Sequence, residues 1–445
     1  MSLAYQEAVA ALQARGRYGI RLGLGRTRVL LRELGNPHLG VRGALIAGTN
    51  GKGSVQALVA AVLCEAGLRV GQTPKPHLVE YRERIVVDGD AISGEDFGEV
   101  VGEVLAAADQ IPRRLGPPTE FELLTAACFA WLERCRVDLA VVEVGLGGRL
   151  DATNAWDGGV AVVTNVAFDH MDRLGNTLSA IGREKAAIIK RGDLAVTGAT
   201  GEALSVIGRR ARRMRVPLAT VAPLPVLEVD REGIVVDAPG LGATRVGLLG
   251  RHQAANVAVA LATLDALEAA GLAAATPDAR RSGLAAVRWP GRMELLTVRP
   301  DTSRGPVDLL LDGAHNPAGF ETLLAALADL RSQLSPGRLT LVTGFMADKD
   351  VAGILDGCSV DPVFEGARIF ATRVNVERAM PAEQLARAWR ERVPGCEVVV
   401  VEPPERALAE ALEAAARDGG AVVVAGSLYL VGAARASLAS RGLIA

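Results

Sequence analysis

The stretch Gly48-Thr49-Asn50-Gly51-Lys52-Gly53-Ser54 brings glycines, a lysine and hydroxyls together in one short turn. It stands between an apolar run, Ala44 to Ala47, and a run in which Val55, Leu58, Val59, Val62 and Leu63 recur at helical spacing. Strand, glycine turn and helix form the setting in which backbone N–H groups close on phosphate oxygens, with a lysine charge and the positive end of a helix aimed at the same anion. The strict phosphate-loop pattern is not met, because Gly53 separates Lys52 from the hydroxyl of Ser54 and no glycine stands five places before Gly51. An ordinary glycine-rich turn remains the plain alternative, and the strand-loop-helix context with Lys52 favours phosphate.

Further candidates lie at the ends of other apolar runs. Glu143 closes Leu139 to Val144 and precedes Gly145-Leu146-Gly147-Gly148; a carboxylate there could hold Mg²⁺ beside phosphates, or simply face solvent. Asp169-His170-Met171-Asp172 follows the run Val160 to Thr164; such clusters are more often helix caps than metal sites, and imidazole is an unusual ligand for a hard cation. Lys185 falls in the apolar stripe of Leu178, Ile181, Ile188 and Ile189. Burial there would depress its pKa and permit carbamate formation, whereas a lysine snorkelling past the stripe is the commoner arrangement. Asp312-Gly313-Ala314-His315-Asn316-Pro317 follows Val307 to Leu311, with Asn316 placed to cap a helix and Pro317 at its first position. Asp312 and His315 are thereby aimed at a strand end, where they could bind or deprotonate an amine, or serve as a cap with a structural histidine.

The elements that position these residues alternate in type. Helices are expected over Gly94 to Asp109, Phe121 to Arg136, Thr177 to Lys190 and His252 to Ala270, and a hairpin over Arg84 to Ile92 around Asp88-Gly89. Short alternating runs from Val226 to Leu249 indicate a small antiparallel sheet. Leu139 to Val144 and Val160 to Thr164 read as buried parallel strands whose C-terminal ends, with Glu143 and Asn165, face a ligand. Val298 to Pro306 has no apolar periodicity and is expected to be the interdomain linker; beyond it, Val307 to Leu311, Leu339 to Val342, Arg368 to Ala371, Glu397 to Val401 and Ala421 to Ala425 alternate with helical patterns. With 445 residues, two domains are expected.

Composition narrows the function. Apolar residues make up 49%, charged residues 22%, and the net charge is −2, which gives no reason to expect nucleic acid or membrane as a partner. The Arg-rich stretch from Arg209 to Arg215 reads as a solvated helix face. No signal peptide opens the chain and no apolar run approaches the roughly 20 residues that span a bilayer, so a cytoplasmic enzyme is expected. Cys64, Cys128, Cys135, Cys358 and Cys396 lack metal spacing and are read as reduced thiols. Lysine is confined to Lys52, Lys75, Lys185, Lys190 and Lys349, arginine carrying nearly all other positive charge, so each lysine is a candidate for a place that arginine cannot fill.

Together these motifs resemble the folylpolyglutamate synthase and dihydrofolate synthase branch of the Mur ligase superfamily. The likeness runs over nearly the whole chain: Leu22-Gly23-Leu24, Gly48 to Ser54, Pro76-His77-Leu78, Arg82-Glu83-Arg84-Ile85, Phe121-Glu122, Glu143 to Asn154, Asp169-His170 and Arg183-Glu184-Lys185-Ala186. It continues through Gly250 to Asn256, Gly291-Arg292, Asp312 to Pro317 and Asp348-Lys349-Asp350. The resemblance implies an α/β fold of two domains: residues 1–298, an ATP-binding domain of phosphate-loop type with a mostly parallel sheet, a small antiparallel sheet and the folate site, and residues 306–445, a Rossmann-like glutamate ligase domain. It implies that the γ-phosphoryl group of ATP passes to a folate-type carboxylate, that L-glutamate attacks the acyl phosphate, and that phosphate leaves.

By the same resemblance Gly48, Thr49, Asn50, Gly51, Lys52, Gly53 and Ser54 hold the nucleotide, with Asn256, Arg292 and Asp312. Ser54, Glu143, His170 and a carbamylated Lys185 organise Mg²⁺, a monovalent cation being a further option. Thr119, Phe121, Leu150, Asp151 and Ala152 match pterin-binding positions, and His315 with Ser427 faces glutamate; Lys185, His315 and Asp312 are the expected catalytic residues. ATP, L-glutamate and dihydropteroate or a reduced folate are the implied partners of a monomer. One departure is Lys75-Pro76-His77-Leu78 where the family usually has Ser-Pro-His-Leu, the serine being a Mg²⁺ ligand; the Lys75 charge would partly substitute for one Mg²⁺, unless Thr73 supplies the oxygen. Ala187, where glycine is usual, should only crowd local packing. A cell-wall Mur ligase is disfavoured by the short stretch before the glycine loop. A nucleotide-dependent switch without ligation would leave Asp312, His315 and Lys185 unused.

Overall fold

The computed structural model describes residues 3–16, 21–300 and 305–444. Its strands are β1 (Gly43–Ala47), β2 (Val70–Thr73), β3 (Val86–Val87), β4 (Asp90–Ala91), β5 (Leu139–Glu143), β6 (Gly159–Val163), β7 (Leu194–Thr197), β8 (Leu218–Thr220), β9 (Val226–Asp230), β10 (Gly233–Ala238) and β11 (Gly242–Val246). They continue as β12 (Glu294–Val298), β13 (Val307–Leu311), β14 (Thr340–Thr343), β15 (Arg368–Ala371), β16 (Glu397–Val400) and β17 (Val422–Ala425). Two compact units result: Met1–Pro225 with Val236–Thr244 and Gln253–Val287, and Val226–Val235 with Arg245–His252 and Arg288–Ala445.

The first unit is built on an eight-stranded sheet in the order β4-β3-β2-β5-β1-β6-β7-β8. The pairings β2–β5, β5–β1, β1–β6, β6–β7 and β7–β8 are parallel, whereas β3, at one edge, pairs antiparallel with both β2 and β4. Every residue of β1, β5 and β6 is buried, the mark of strands covered on both faces. β1 lies between β5 and β6, with Ile46 opposite Glu143 and Ala47 opposite Val163. The turn after β1 thus emerges between the ends of two neighbours, at the switch in strand order where open α/β sheets bind ligands. The helix Lys52–Glu65 that follows buries residues on all sides, Val55, Leu58, Val59, Val62 and Leu63 among them.

The second unit holds a six-stranded sheet, β12-β13-β17-β14-β15-β16, parallel except for β12. Helices Pro317–Leu330, Val351–Val360, Ala382–Arg392 and Pro404–Asp418 connect its strands. A third sheet joins the consecutive strands β9, β10 and β11, as the alternating runs predicted.

The expected division at Val298–Pro306 is corrected. β12 pairs antiparallel with β13, Val298 opposite Val307, so this stretch connects adjacent strands of one sheet and the chain divides after Val287. Turn-rich composition marks a tight connection as readily as a domain linker, and sequence pattern does not separate the two. Residues 301–304 of that expected linker lie outside the described residues. In β2, Val70–Thr73, pairing with β5 and burial of all four residues override the low strand propensity of Gly71.

Candidate active site

Two glycines shape the phosphate loop. Gly51 has φ 80° and precedes the helix, and a Cβ there would stand 2.2 Å from Asn256 Oδ1. Gly48 has φ 158°, and a Cβ would meet Thr164 Oγ1 at 1.8 Å. Only glycine satisfies both the backbone and the space. The loop is pinned from β6's continuation: Thr49 N donates to Asn165 O at 3.1 Å, Asn50 N to Asn165 Oδ1 at 2.9 Å, and Thr164 Oγ1 to Asn50 O at 2.7 Å. Thr49 Oγ1 donates to Ala167 O at 3.2 Å and accepts from Ala167 N at 3.0 Å.

Charged groups converge on this loop. Lys52 Nζ donates to Gly48 O at 3.2 Å and Thr49 O at 3.1 Å and lies 3.8 Å from the buried carboxylate of Glu143. Lys185, on the helix Leu178–Ala186, is 4% exposed and donates from Nζ to Gly48 O at 2.8 Å. Burial, with Lys52 nearby, pulls its pKa down to about 7 against the opposing pull of Asp169. Lys185 therefore does not snorkel; it sits under the glycine loop. Ser54 is buried in the first turn of the helix. Asn256 stands beside Gly51 from the helix Gln253–Ala269, its Nδ2 donating to Gln253 Oε1 at 2.8 Å. His170 adopts φ 48°, caps the short helix Met171–Leu174, and places Nε2 3.7 Å from Asp169 Oδ2.

Lys75 also reaches the end of β5. Its Nζ donates to the backbone carbonyl of Glu143 and, at 3.2 Å, to Thr73 Oγ1, and lies 5.2 Å from the centre of the Phe121 ring. Burial lowers its pKa, outweighing Asp151 and Glu143, which raise it.

Beyond Glu143 the chain continues along a cavity of about 370 Å³, and all five expected acceptor residues, Thr119, Phe121, Leu150, Asp151 and Ala152, line it. Their supports are internal to the first unit. Thr119 and Glu122 form a reciprocal capping box at the helix Glu120–Arg134, and Arg26 Nε grips Glu122 at 2.9 and 3.0 Å. Asp151 accepts from Leu146 N at 2.8 Å and from Thr153 N at 3.0 Å. Gly145 lacks a side chain where a Cβ would come within 2.6 Å of the Phe121 ring.

In the second unit the ends of β13 and β17 lie side by side. Asp312 N donates to Val424 O at 3.0 Å and Gly426 N to Ala314 O at 2.9 Å. Asp312 accepts from Met293 N at 2.8 Å and Ala314 N at 2.9 Å; burial raises its pKa, opposed by Arg292. His315 Nδ1 is 2.7 Å from Gly313 O, which places the ring proton on Nδ1 and leaves Nε2 the basic nitrogen. Ser427, 3% exposed, caps the helix Leu428–Ser440 and accepts from Tyr429 N. Asn316 caps the helix Pro317–Leu330 as its position predicted.

Sequence reasoning passed over Thr164 and Gln253, which hold Asn50 O and Asn256, and it considered Thr73 only as an oxygen donor to a cation, whereas Thr73 Oγ1 accepts from Glu143 N at 3.2 Å. Thr164 follows a buried β-branched run just as Glu143 does, and that shared context was the available signal.

Comparison with known proteins bears on this geometry. Residues 46–264 match the Mur ligase middle domain and residues 291–428 the Mur ligase glutamate ligase domain. The folylpolyglutamate synthase of Lacticaseibacillus casei is 33% identical over 452 aligned positions, covering 98% of each chain. The chain belongs to the folylpolyglutamate synthase and dihydrofolate synthase family. Another family member, the dihydrofolate synthase/folylpolyglutamate synthase of Bacillus subtilis, is 36% identical over 78% of this chain and 81% of its own. Among solved structures, Mycobacterium tuberculosis folylpolyglutamate synthase complexed with ADP superposes with a TM-score of 0.85 at 33% identity, covering 97% of this chain and 98% of that one. Escherichia coli FolC in complex with DHPP and ADP gives 0.80 at 29% identity over 98% of each. Among the described residues no helix is long and apolar enough to cross a membrane, and no group of three or more His, Cys, Asp and Glu side chains converges as a metal site.

Proposed function

We infer that this chain is an ATP-dependent ligase that forms an amide bond between a folate-type carboxylate and the amino group of L-glutamate. The observation that carries this reading is the double use of β5. Glu143 at its end faces the phosphate loop, and the residues directly after it line the acceptor cavity. One rigid strand thus serves both the phosphoryl donor and the acid to be activated.

The γ-phosphoryl group moves to the acceptor carboxylate, breaking the bond to ADP and forming an acyl phosphate; the glutamate nitrogen then attacks the carbonyl carbon and phosphate departs. Backbone N–H groups of Gly51 to Ser54, at the start of the helix Lys52–Glu65, and the Lys52 ammonium would neutralise the transferred charge. Asn256 in the first unit, and Arg292 and Asp312 in the second, are proposed nucleotide contacts. His315 and Ser427 are the proposed glutamate residues, with His315 Nε2 as acceptor of the ammonium proton.

Glu143 and Ser54 offer hard oxygen donors, a set that suits Mg²⁺ held mainly by phosphate oxygens and water. When bound, Mg²⁺ would supply charge neutralisation on the phosphates. The amine of Lys185, with a pKa near neutrality, is suited to add CO₂, and the resulting carbamate would be a further oxygen donor. We further propose that Lys75, fixed against the Glu143 carbonyl, replaces part of one cation's charge.

We propose that dihydropteroate and reduced folates are both accepted and that the protein works as a monomer in the cytoplasm. ADP release is the test, measured with glutamate plus dihydropteroate and with glutamate plus a tetrahydrofolate. Release that needs both the acid and glutamate supports ligation, whereas ATP turnover indifferent to either would make the protein a nucleotide-driven switch.

A further inference from the structure

Glu143, the last residue of β5, is 4% exposed, so its backbone N–H and C=O need partners inside the protein. On one side of β5 the ladder is complete: Ile46 of β1 stands opposite Glu143, and Val144 N donates to Ile46 O at 2.9 Å. On the other side it stops one residue short. β2 pairs with β5 from Val70 opposite Leu139 to Thr73 opposite Val142, and the chain then runs Pro74-Lys75-Pro76. Proline has no N–H to donate, so the continuation of β2 is a poor backbone partner for Glu143.

Two side chains take over. Thr73 Oγ1 accepts from Glu143 N at 3.2 Å and from Lys75 Nζ at 3.2 Å, and Lys75 Nζ also donates to Glu143 O. The N–H and the C=O of one residue are thereby closed into a ring through a hydroxyl and an ammonium. Thr73 is 3% exposed, and both acceptor sites of its hydroxyl are committed, which leaves it no oxygen to offer a cation. The ring of Phe121, its centre 5.2 Å from Lys75 Nζ, covers the ammonium on another side. A compact ammonium with three rotatable donors suits this place better than the planar fork of arginine.

We propose that Thr73 and Lys75 are positioning residues for the reaction: a side-chain clamp that substitutes for the missing β2 ladder and fixes the Glu143 carboxylate for a divalent cation on the nucleotide phosphates. Lys75 then acts through the backbone it holds as well as through its charge. Thr73, being neutral, acts through the backbone alone. The proposal rests on the reading of Glu143 as a cation-binding carboxylate.

Calorimetric titration of the full-length protein with a non-hydrolysable ATP analogue, at a series of Mg²⁺ concentrations, is the test for wild type, Thr73→Val, Thr73→Ser and Lys75→Met. Valine keeps the shape of threonine without the hydroxyl, and serine keeps the hydroxyl. Thr73→Val should raise the Mg²⁺ concentration at half-maximal binding about tenfold, Lys75→Met at least as much, and Thr73→Ser less than about threefold. Analogue affinity in EDTA should stay within about twofold of wild type in both Thr73 variants. A role in folding alone would lower the thermal midpoint and leave the Mg²⁺ requirement where it was, and that result in Thr73→Val overturns the proposal. A raised requirement in Lys75→Met without one in Thr73→Val also overturns it, since Lys75 would then act by charge only. Should Lys75→Met not fold, the two Thr73 variants decide. Wild-type binding indifferent to Mg²⁺ would overturn the reading of Glu143 and this proposal with it. ADP release that needs neither acid nor glutamate would overturn the ligase reading and leave the clamp standing.

Discussion

Replacing Gly51 by alanine isolates what the phosphate loop demands of its backbone. At φ 80° an L-residue costs about 1 kcal/mol. Its Cβ would also lie 2.2 Å from Asn256 Oδ1, so Asn256 must withdraw, and its 2.8 Å bond to Gln253 is lost or lengthened. That adds about 1 kcal/mol. The sum, about 2 kcal/mol, corresponds to a fall in thermal midpoint of about 4–8 °C. If the displaced Asn256 also loses a hydrogen bond to the nucleotide, ATP affinity falls about tenfold. Gly192→Ala is the control: φ there is 90° and nothing stands within 4 Å of the added carbon, so only the backbone cost should appear. In an Asn256→Ala background the clash is gone, and Gly51→Ala should cost about 1 kcal/mol less than in wild type. Urea unfolding and calorimetric ATP titration on the four variants measure these terms. Strictly additive effects of Gly51→Ala and Asn256→Ala would refute the account, since they would mean the two residues do not meet.

Other perturbations follow from the same geometry. Lys52→Met should leave the fold intact and lower ATP-dependent turnover about a hundredfold or more, read as ADP release. Gly145→Val should drive the Phe121 ring into the cavity, raising KM for the acceptor about tenfold while KM for ATP holds. Burial alone would raise the Asp308 pKa, but bonds from Arg231 and Ser335 bring it down to about 2. Its stabilising contribution is therefore full above about pH 4 and is lost as pH falls through about 2. Arg231→Met should cost about 1–2 kcal/mol at pH 7 after allowance for solvent screening, with the difference from wild type vanishing toward pH 2 in acid-unfolding curves. Lys75→Ser should steepen the Mg²⁺ dependence of nucleotide binding, measured by titration at fixed nucleotide; an unchanged dependence would show that Lys75 carries none of the cation's role.

Much of this was legible in the residues. Val307–Leu311 and Arg368–Ala371 appear as strands with the predicted bounds, and Asn316 caps its helix, because buried β-branched runs and cap chemistry act locally. The position of Lys185 in an apolar stripe pointed to burial, yet its partner, Gly48 O, lies 137 residues away in sequence and only the fold supplies it. β12 was unreadable for a related reason: its partner β13 determines it, and the intervening Pro300, Gly305 and Pro306 carry the signature of a linker. The capping box at Thr119 could be read as a helix start, but its sharing of Glu122 with Arg26 spans 96 residues and needed the structure.

The cleavage of labour along β5 has an evolutionary corollary. The backbone of Glu143 is fixed by buried strand pairing, whereas Leu150 lies in a turn a few residues on and Ala152 opens the 3-10 helix Ala152–Ala155. If the cavity is the acceptor site proposed above, substitutions in that turn, or at Leu22 across the cavity, would retune which acid is admitted without displacing the strand that carries Glu143. Changes of side chain at the rim would then cost little stability, whereas β5, buried on both faces, has little room for them.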